Sequence, residues 1–339
     1  MNRGMKTILR LAVLAIASTV ALALAANALA TQKLSVTQSA TALTIKTSQA
    51  QTDLQPAKIS IYVPSGYTIN ASQAPGTKIG TTTGSVFARD ANIPLPLSGD
   101  VIVAPPSTNA PGCSTGTHLA VWILDLQVAG QRIQLPVHVD ATAGTETALG
   151  SYKLVVCLAP DDVPQGTPGR SPNGARLLEA TFTVTNVFTV PAGQTVWKAI
   201  TTPYRASVGA PDVAGTVETR AVVGTGVVSI ASRVTKKTRT VRFTGRVTQA
   251  GAAVAGAQVS LLVNGRNRFR ARTNASGNYS IVLKKTGKKV TTRFQARVTV
   301  AERDITSSGC ASPSVPGVAC VSATASAFTA VSRILRISL

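Results

Sequence analysis

Aromatic residues make up only 4% of the 339 residues of this chain. That scarcity excludes a surface built on ranks of Trp and Tyr, the usual stacking platform for sugars or unpaired bases. Histidine occurs twice and cysteine four times, too sparse and scattered for a metal site or a metal cofactor. No Gly-rich phosphate loop followed by Lys-Ser or Lys-Thr is present. The sharpest absence is local. Residues 233–297 hold sixteen Lys or Arg and no Asp or Glu.

Long apolar runs are missing too, except at the N-terminus. There Arg3, Lys6 and Arg10 precede an apolar stretch over residues 11–26, broken only by Ser18 and Thr19. Ala28-Leu29-Ala30 then offers the small-x-small pattern of signal peptidase, which predicts a signal peptide over residues 1–30 cleaved after Ala30. No Cys follows for lipid attachment, and no twin Arg precedes. The alternative is a retained anchor helix, since residues 11–30 just reach the length of a span. After cleavage no stable membrane span is expected. The protein is read as secreted, extracellular or in the cell envelope.

Export makes the cysteines legible as disulfides. Of three possible pairings, the reading favours one within each half, Cys113 with Cys157 and Cys310 with Cys320. In the chain-entropy model the longer loop contributes about 4 kcal/mol and the shorter about 3 kcal/mol.

What is present reads as β-structure throughout. Residues 31–204 are predicted as an N-terminal all-β domain of short alternating runs separated by Gly/Pro-rich loops, with strand islands at 85–88 and 101–103. The clearest hairpin has Ala129-Gly130 at its tip. That turn sets Trp122 opposite Val137, Leu124 opposite Leu135 and Leu126 opposite Ile133, all on one face. A Gly-rich connector is placed at 205–226, where charge shifts. Residues 31–200 carry ten basic and nine acidic residues, whereas residues 201–339 carry twenty-one and four. Residues 227–339 are read as a basic β-sandwich domain. The fold class is therefore all-β, with two β-sandwich domains of Ig-like or transthyretin-like kind after the signal peptide.

In the basic domain Val241, Phe243 and Val247 alternate with Arg242, Thr244 and Arg246. Asn264-Gly265 is a strong hairpin signal. Arg266, Arg268, Arg270 and Arg272 are read as lining one face of the returning strand, and Arg293 and Arg297 as pointing outward. A Lys-rich turn is broken by Gly287. The Cys310–Cys320 loop and a last strand near 330–339 are expected to close the sandwich.

Three stretches of this domain resemble the carboxypeptidase regulatory-like family. They are Gly245-Arg246-Val247, Val254-Ala255-Gly256-Ala257-Gln258-Val259 and Thr273-Asn274-Ala275-Ser276-Gly277-Asn278-Tyr279-Ser280. The resemblance covers about residues 227–305. It implies a transthyretin-like sandwich akin to the B-type repeats of bacterial surface adhesins, serving as stalk, spacer or binding accessory. A Lys–Asn isopeptide bond, found in some such repeats, needs an assisting acid; only Glu218, Glu302 or Asp304 is at hand.

The remaining chemistry candidates have plainer readings. Gly112-Cys113-Ser114-Thr115-Gly116 fits G-x-S-x-G, and Asp125 and His138 follow in hydrolase order. A nucleophile elbow, however, joins a buried strand to a helix, and this one joins a loop to a strand. His138 and Asp140 share one side of a strand and are read as a solvated face. Asp161-Asp162 lacks the further oxygen ligands a Ca²⁺ loop needs. No catalytic residue, metal or other cofactor is assigned, and the chain is not read as an enzyme.

The cationic stretch exceeds what solubility asks of a sheet, because ordinary surfaces mix both signs. Its field gathers polyanions, and Arg242, Arg246, Arg268, Arg270, Arg293 and Arg297 are the expected contacts. The partner expected outside the cell is an anionic surface polymer or an acidic protein rather than nucleic acid. The resulting reading is a non-enzymatic structural or adhesive protein. A secreted hydrolase with an accessory sandwich and a purely structural spacer are the alternatives.

Overall fold

The computed structural model describes residues 31–338 except 40, 111, 192 and 285–289. The predicted signal peptide and the Lys-rich turn expected at Gly287 lie outside those residues. In chain order the strands are β1 (Lys33–Gln38), β2 (Ala42–Ser48), β3 (Pro56–Val63), β4 (Thr68–Ile69), β5 (Lys78–Ala88), β6 (Ile93–Ala104), β7 (Ala120–Val128), β8 (Gln131–Ala141), β9 (Tyr152–Cys157), β10 (Ala175–Thr185), β11 (Phe188–Thr189), β12 (Thr195–Pro203) and β13 (Val217–Val223). There follow β14 (Gly226–Val228), β15 (Ala231–Thr235), β16 (Thr240–Gln249), β17 (Ala252–Ala253), β18 (Gln258–Val263), β19 (Arg266–Arg272), β20 (Asn278–Lys284), β21 (Thr291–Val300), β22 (Arg303–Asp304), β23 (Ala319–Ala325), β24 (Phe328–Val331) and β25 (Leu335–Ser338). The chain is all-β, as its patterning predicts.

Thirteen strands form one large sheet in the order β1-β2-β10-β5-β6-β7-β8-β9-β3-β12-β13-β23-β22. The sheet curls until its ends meet. Ser322 Oγ donates to the Gln32 carbonyl at 2.6 Å, and Thr324 Oγ1 donates to the Leu34 carbonyl at 2.7 Å. These side-chain bonds tie β23 to β1 and the residue before it, where among the described residues no backbone ladder does. Inside the curl, Leu34, Ile45, Val101, Trp122, Leu154 and Trp197 belong to one buried core.

The hairpin at Ala129-Gly130 forms in the expected register, with Trp122 across from Val137, Leu124 from Leu135 and Leu126 from Ile133. Both turn residues have positive φ, 49° and 80°, the twist that suits a two-residue hairpin.

The strands β5 and β6 run to 11 and 12 residues, far beyond the islands expected there. Their Gly and Pro content disguises them for specific reasons. A Cβ on Gly80 would lie 1.9 Å from the Thr183 carbonyl oxygen, and one on Gly84 would lie 2.1 Å from that of Glu179. Glycine here permits close backbone approach as the sheet bends. Pro94 and Pro96 precede Leu97, where β6 begins to pair with β7, so they occupy the half of the strand with an open edge.

The interior is not uniformly filled. Tyr67, Trp122, Phe188 and Trp197 pack edge to face, with the Tyr67–Trp197 ring centroids 5.1 Å apart. Trp197 Nε1 donates to the Tyr67 hydroxyl at 3.2 Å, and that hydroxyl donates to Gln38. Elsewhere in the same interior lies a cavity of about 350 Å³.

The second core lies between two five-stranded sheets. One contains β14, β15, β16, β17 and β20, the other β18, β19, β21, β24 and β25. Val241, Phe243, Val259, Leu261, Ala296 and Val298 meet between them, and Phe243 and Phe294 lie 4.6 Å apart. This is the sandwich expected from residue 227 onward.

The division between the two bodies differs from the reading at 205–226 and 227–339. That connector contains β13, which pairs with β12 in the large sheet. β22 and β23 leave the sandwich to join the large sheet, β23 running parallel to β13, before β24 and β25 return. Both expected disulfides form, but the Cys310–Cys320 loop is fastened to the large sheet rather than closing the sandwich. Arg220 Nη1 donates to the Gly309 carbonyl at 2.7 Å, and the Ser314 amide donates to Glu218 Oε2 at 2.8 Å. The chain therefore crosses between the bodies three times, after β13, after β21 and after β23. Buried Gln249 sits among the crossings, donating to the Ser326 carbonyl at 2.8 Å and accepting from Arg303 Nη1 at 2.5 Å.

Candidate functional site

The alternation of β16 decides where its arginines stand. Val241, Phe243 and Val247 are buried, so Arg242 and Arg246 project from the opposite face of that sheet. Arg242 lies across from Arg233 on β15 and from Val282 on β20. Arg246 lies across from Asn278, and its Nε donates to the Ser276 carbonyl at 3.1 Å.

On the other sheet Ser260 of β18 is flanked by Arg270 of β19 and Arg297 of β21. Arg293 stands across from Arg336 of β25. The outward face here is again fixed by burial of Val259, Leu261, Phe294, Ala296 and Val298.

The row Arg266-Arg268-Arg270-Arg272 does not share one face. A bulge interrupts the pairing between Leu261 and Leu262, so that Phe269 and Asn267 find partners and Arg268 is the extra residue. One extra residue inverts the alternation beyond it. Arg270 and Arg272 sit opposite outward Ser260 and Gln258, whereas Arg266 sits opposite Val263, which packs on the core.

The six expected contact residues thus form two sets on opposite outer faces: Arg242 and Arg246, and Arg270, Arg293 and Arg297. Arg268 lies in the bulge of an edge strand. All six are exposed, and among the described residues none has a carboxylate within salt-bridge distance. The acids nearest in sequence are engaged elsewhere. Glu302 accepts from Ser35 Oγ at 2.8 Å, Asp304 from the Thr306 amide at 2.7 Å, and Glu218 from Arg220 Nε at 2.6 Å.

The hydrolase-like order of residues does not become a triad. Asp125 is held by Arg132 Nε at 2.6 Å, while His138 Nε2 pairs with the Thr108 carbonyl at 3.1 Å. Ser114 sits in the 105–118 loop, in a bridge with Ala110. Asp161 accepts from Arg176 Nε at 2.7 Å, and Asp162 accepts from the Ser207 amide at 2.7 Å. Among the described residues no group of three His, Cys, Asp or Glu is placed to hold a metal ion.

His138 and Asp140 do not form a solvated strand face. His138 is fully buried, His118 nearly so, and their rings lie 4.4 Å apart. His118 Nδ1 shares a 2.8 Å hydrogen bond with Asp140 Oδ1. The cover comes from the 105–118 loop, stapled to β9 by Cys113–Cys157. Burial, and then the neighbouring His118, push the His138 pKa below the usual histidine range. Sequence spacing shows the face but not the loop that folds over it.

No known family profile matches this chain, and no curated protein does. Among solved structures it is similar to a protein described as membrane anchored from Corynebacterium diphtheriae, at 10% identity over 79% of this chain, with TM-score 0.20. The match spans 48% of that protein, about half its length. A Ca²⁺-stabilised adhesin with which an Antarctic bacterium binds ice is 13% identical over 86% of this chain and 82% of its own, with TM-score 0.19. At these scores neither likeness carries a functional argument.

Proposed function

We propose that this chain is an extracellular, non-enzymatic protein whose sandwich adheres to anionic polymers of the cell surface. The carrying observation is the set of arginines on both outer faces, ranged beside one another across strands and, among the described residues, without carboxylate partners. Sulfate, phosphate or carboxylate groups of a polymer supply the missing counter-charge. Contacts of this kind release counterions, so binding is weakly selective and strongly salt-dependent. The predicted signal peptide and the two disulfides support an exported setting.

The sandwich itself is read as a carboxypeptidase regulatory-like module. Supporting that reading, Gly256 and Gly277 have φ of 69° and 74°, as turns before a core strand require. Tyr279 is buried and donates to the Ser229 carbonyl at 2.7 Å.

The test is retention of the purified chain on isolated cell envelopes and on immobilised polyphosphate, with a NaCl gradient. Release between about 0.05 and 0.5 M is expected. Retention indifferent to salt would sink the electrostatic reading. Unchanged binding after Arg242, Arg270, Arg293 and Arg297 are all replaced by Gln would favour a plain spacer.

A further inference from the structure

The cavity of about 350 Å³ inside the large sheet falls at the small end of the range for small-molecule sites. Its walls come from the curl itself. Ile45, Ile61, Leu124, Leu135, Val156 and Phe182, from six different strands, are among its lining residues. The 158–174 segment borders it at Leu158, Ala159, Ser171 and Pro172. That segment is pinned in place, because the Ser171 amide donates to the Pro160 carbonyl at 2.8 Å and Arg170 pairs with Asp90 at 2.6 Å.

Two polar atoms on this lining are unexplained by the fold. Thr82 Oγ1 and Ser171 Oγ are buried without a hydrogen-bond partner among the described residues, in residues only 1% and 6% exposed. A buried hydroxyl left unpaired is destabilising. Thr47, Gln55 and Gln134 also line the cavity, but most of its wall is apolar, and a water held there needs two to four polar partners. Among the described residues no Lys, Arg, His, Asp or Glu lines the cavity, so a charged ligand has no counter-ion there.

We infer that this cavity binds an uncharged, mainly apolar molecule carrying a hydroxyl or carbonyl group. The hydrocarbon part fills the Leu, Ile and Phe walls, and the oxygen pairs with one of the two hydroxyls, Thr82 or Ser171. The occupant is a neutral lipid-like compound, such as a long-chain alcohol, and not a fatty acid anion. This site is separate from the arginine faces, so either assignment can fail without the other.

Titrating the full chain with the neutral fluorophore N-phenyl-1-naphthylamine is expected to give saturable, 1:1 fluorescence enhancement. 1-Dodecanol should displace the probe at pH 8, and dodecanoate should not. Leu124→Trp, which narrows the chamber, should weaken probe binding. A Thr82→Val, Ser171→Ala double variant, which keeps the volume nearly unchanged, should bind the probe but bind dodecanol about five- to tenfold more weakly. Absence of saturable probe binding, displacement by dodecanoate as effective as by dodecanol, or equal dodecanol affinity in the double variant overturns the assignment.

Discussion

Arg233 stands directly across from Arg242 in the β15–β16 ladder. Like charges at directly opposed positions destabilise a sheet, and no acid lies within the surrounding stretch to offset them. Raising NaCl from 0.05 to 0.5 M should therefore raise the melting temperature of the protein by about 1–3 °C, by screening the repulsion. Arg242→Gln should capture most of that gain at low salt. A melting temperature that falls steadily with salt contradicts this account.

Neutralising one face of the sandwich should weaken polyanion retention without abolishing it. Arg242→Gln with Arg246→Gln leaves Arg270, Arg293 and Arg297 on the opposite side. The slope of log affinity against log salt should shrink by roughly one unit for each phosphate that is no longer neutralised. Salt-gradient elution of both single-face variants checks this. Complete loss from either variant alone would show that only one face binds.

Glu218 is fully buried and bonded to Arg220. Removing one partner of a buried pair strands the other, so Glu218→Ala should cost about 3–5 kcal/mol in urea denaturation. Burial alone would raise the Glu218 carboxyl, but bonds from Arg220 and Ser314 overcome it and hold the pKa below the usual value. The group's stabilisation is thus fully present above the unfolded carboxylate pKa and is lost as pH falls through the lower folded value.

His138 titrates in the opposite chemical sense but with the same sign in stability. Its folded pKa is depressed, so the unfolded chain takes up the proton first. Stability is complete above pH about 6.5 and declines as pH drops from there through the folded pKa. Melting curves from pH 8 to 5 should show that decline in the natural chain. His138→Gln, which retains a donor toward Thr108, should flatten it; an unchanged slope would remove His138 from the explanation.

Gly80→Ala should destabilise the large sheet by roughly 2 kcal/mol or more, since the added methyl meets the Thr183 carbonyl rather than a side chain able to rotate away. Chemical denaturation measures the loss directly. Stability equal to that of the natural chain would show that the β5–β10 pair relaxes at little cost.

Hairpins were legible in the sequence because their information is local. Ala129-Gly130 specifies both a turn and a register, and the burial of Trp122 and Leu124 agrees with it. The disulfides were legible for a related reason, each joining residues within one half of the chain. Pairing between β13 and β23 was not legible, since residues about a hundred positions apart carry no mark of their adjacency. The glycines of β5 looked like loop residues because their reason is a neighbour's carbonyl. At the arginine site, outward positions followed from alternation up to Arg270, and the bulge at Arg268 undid it for Arg266. The two hydroxyls at Thr82 and Ser171, without partners among the described residues, belong to residues ordinary in any β-protein; only the cavity beside them sets them apart.

The three chain crossings held at Gln249 have a mechanical consequence. A body joined by a single strand swivels freely, and one joined by two can still rock about the line between them. Three fastenings, each bonded to the same buried amide, oppose swivelling more than one or two do. A pull applied to the sandwich therefore reaches the large sheet through three strands at once, sharing a load that a single linker would carry alone.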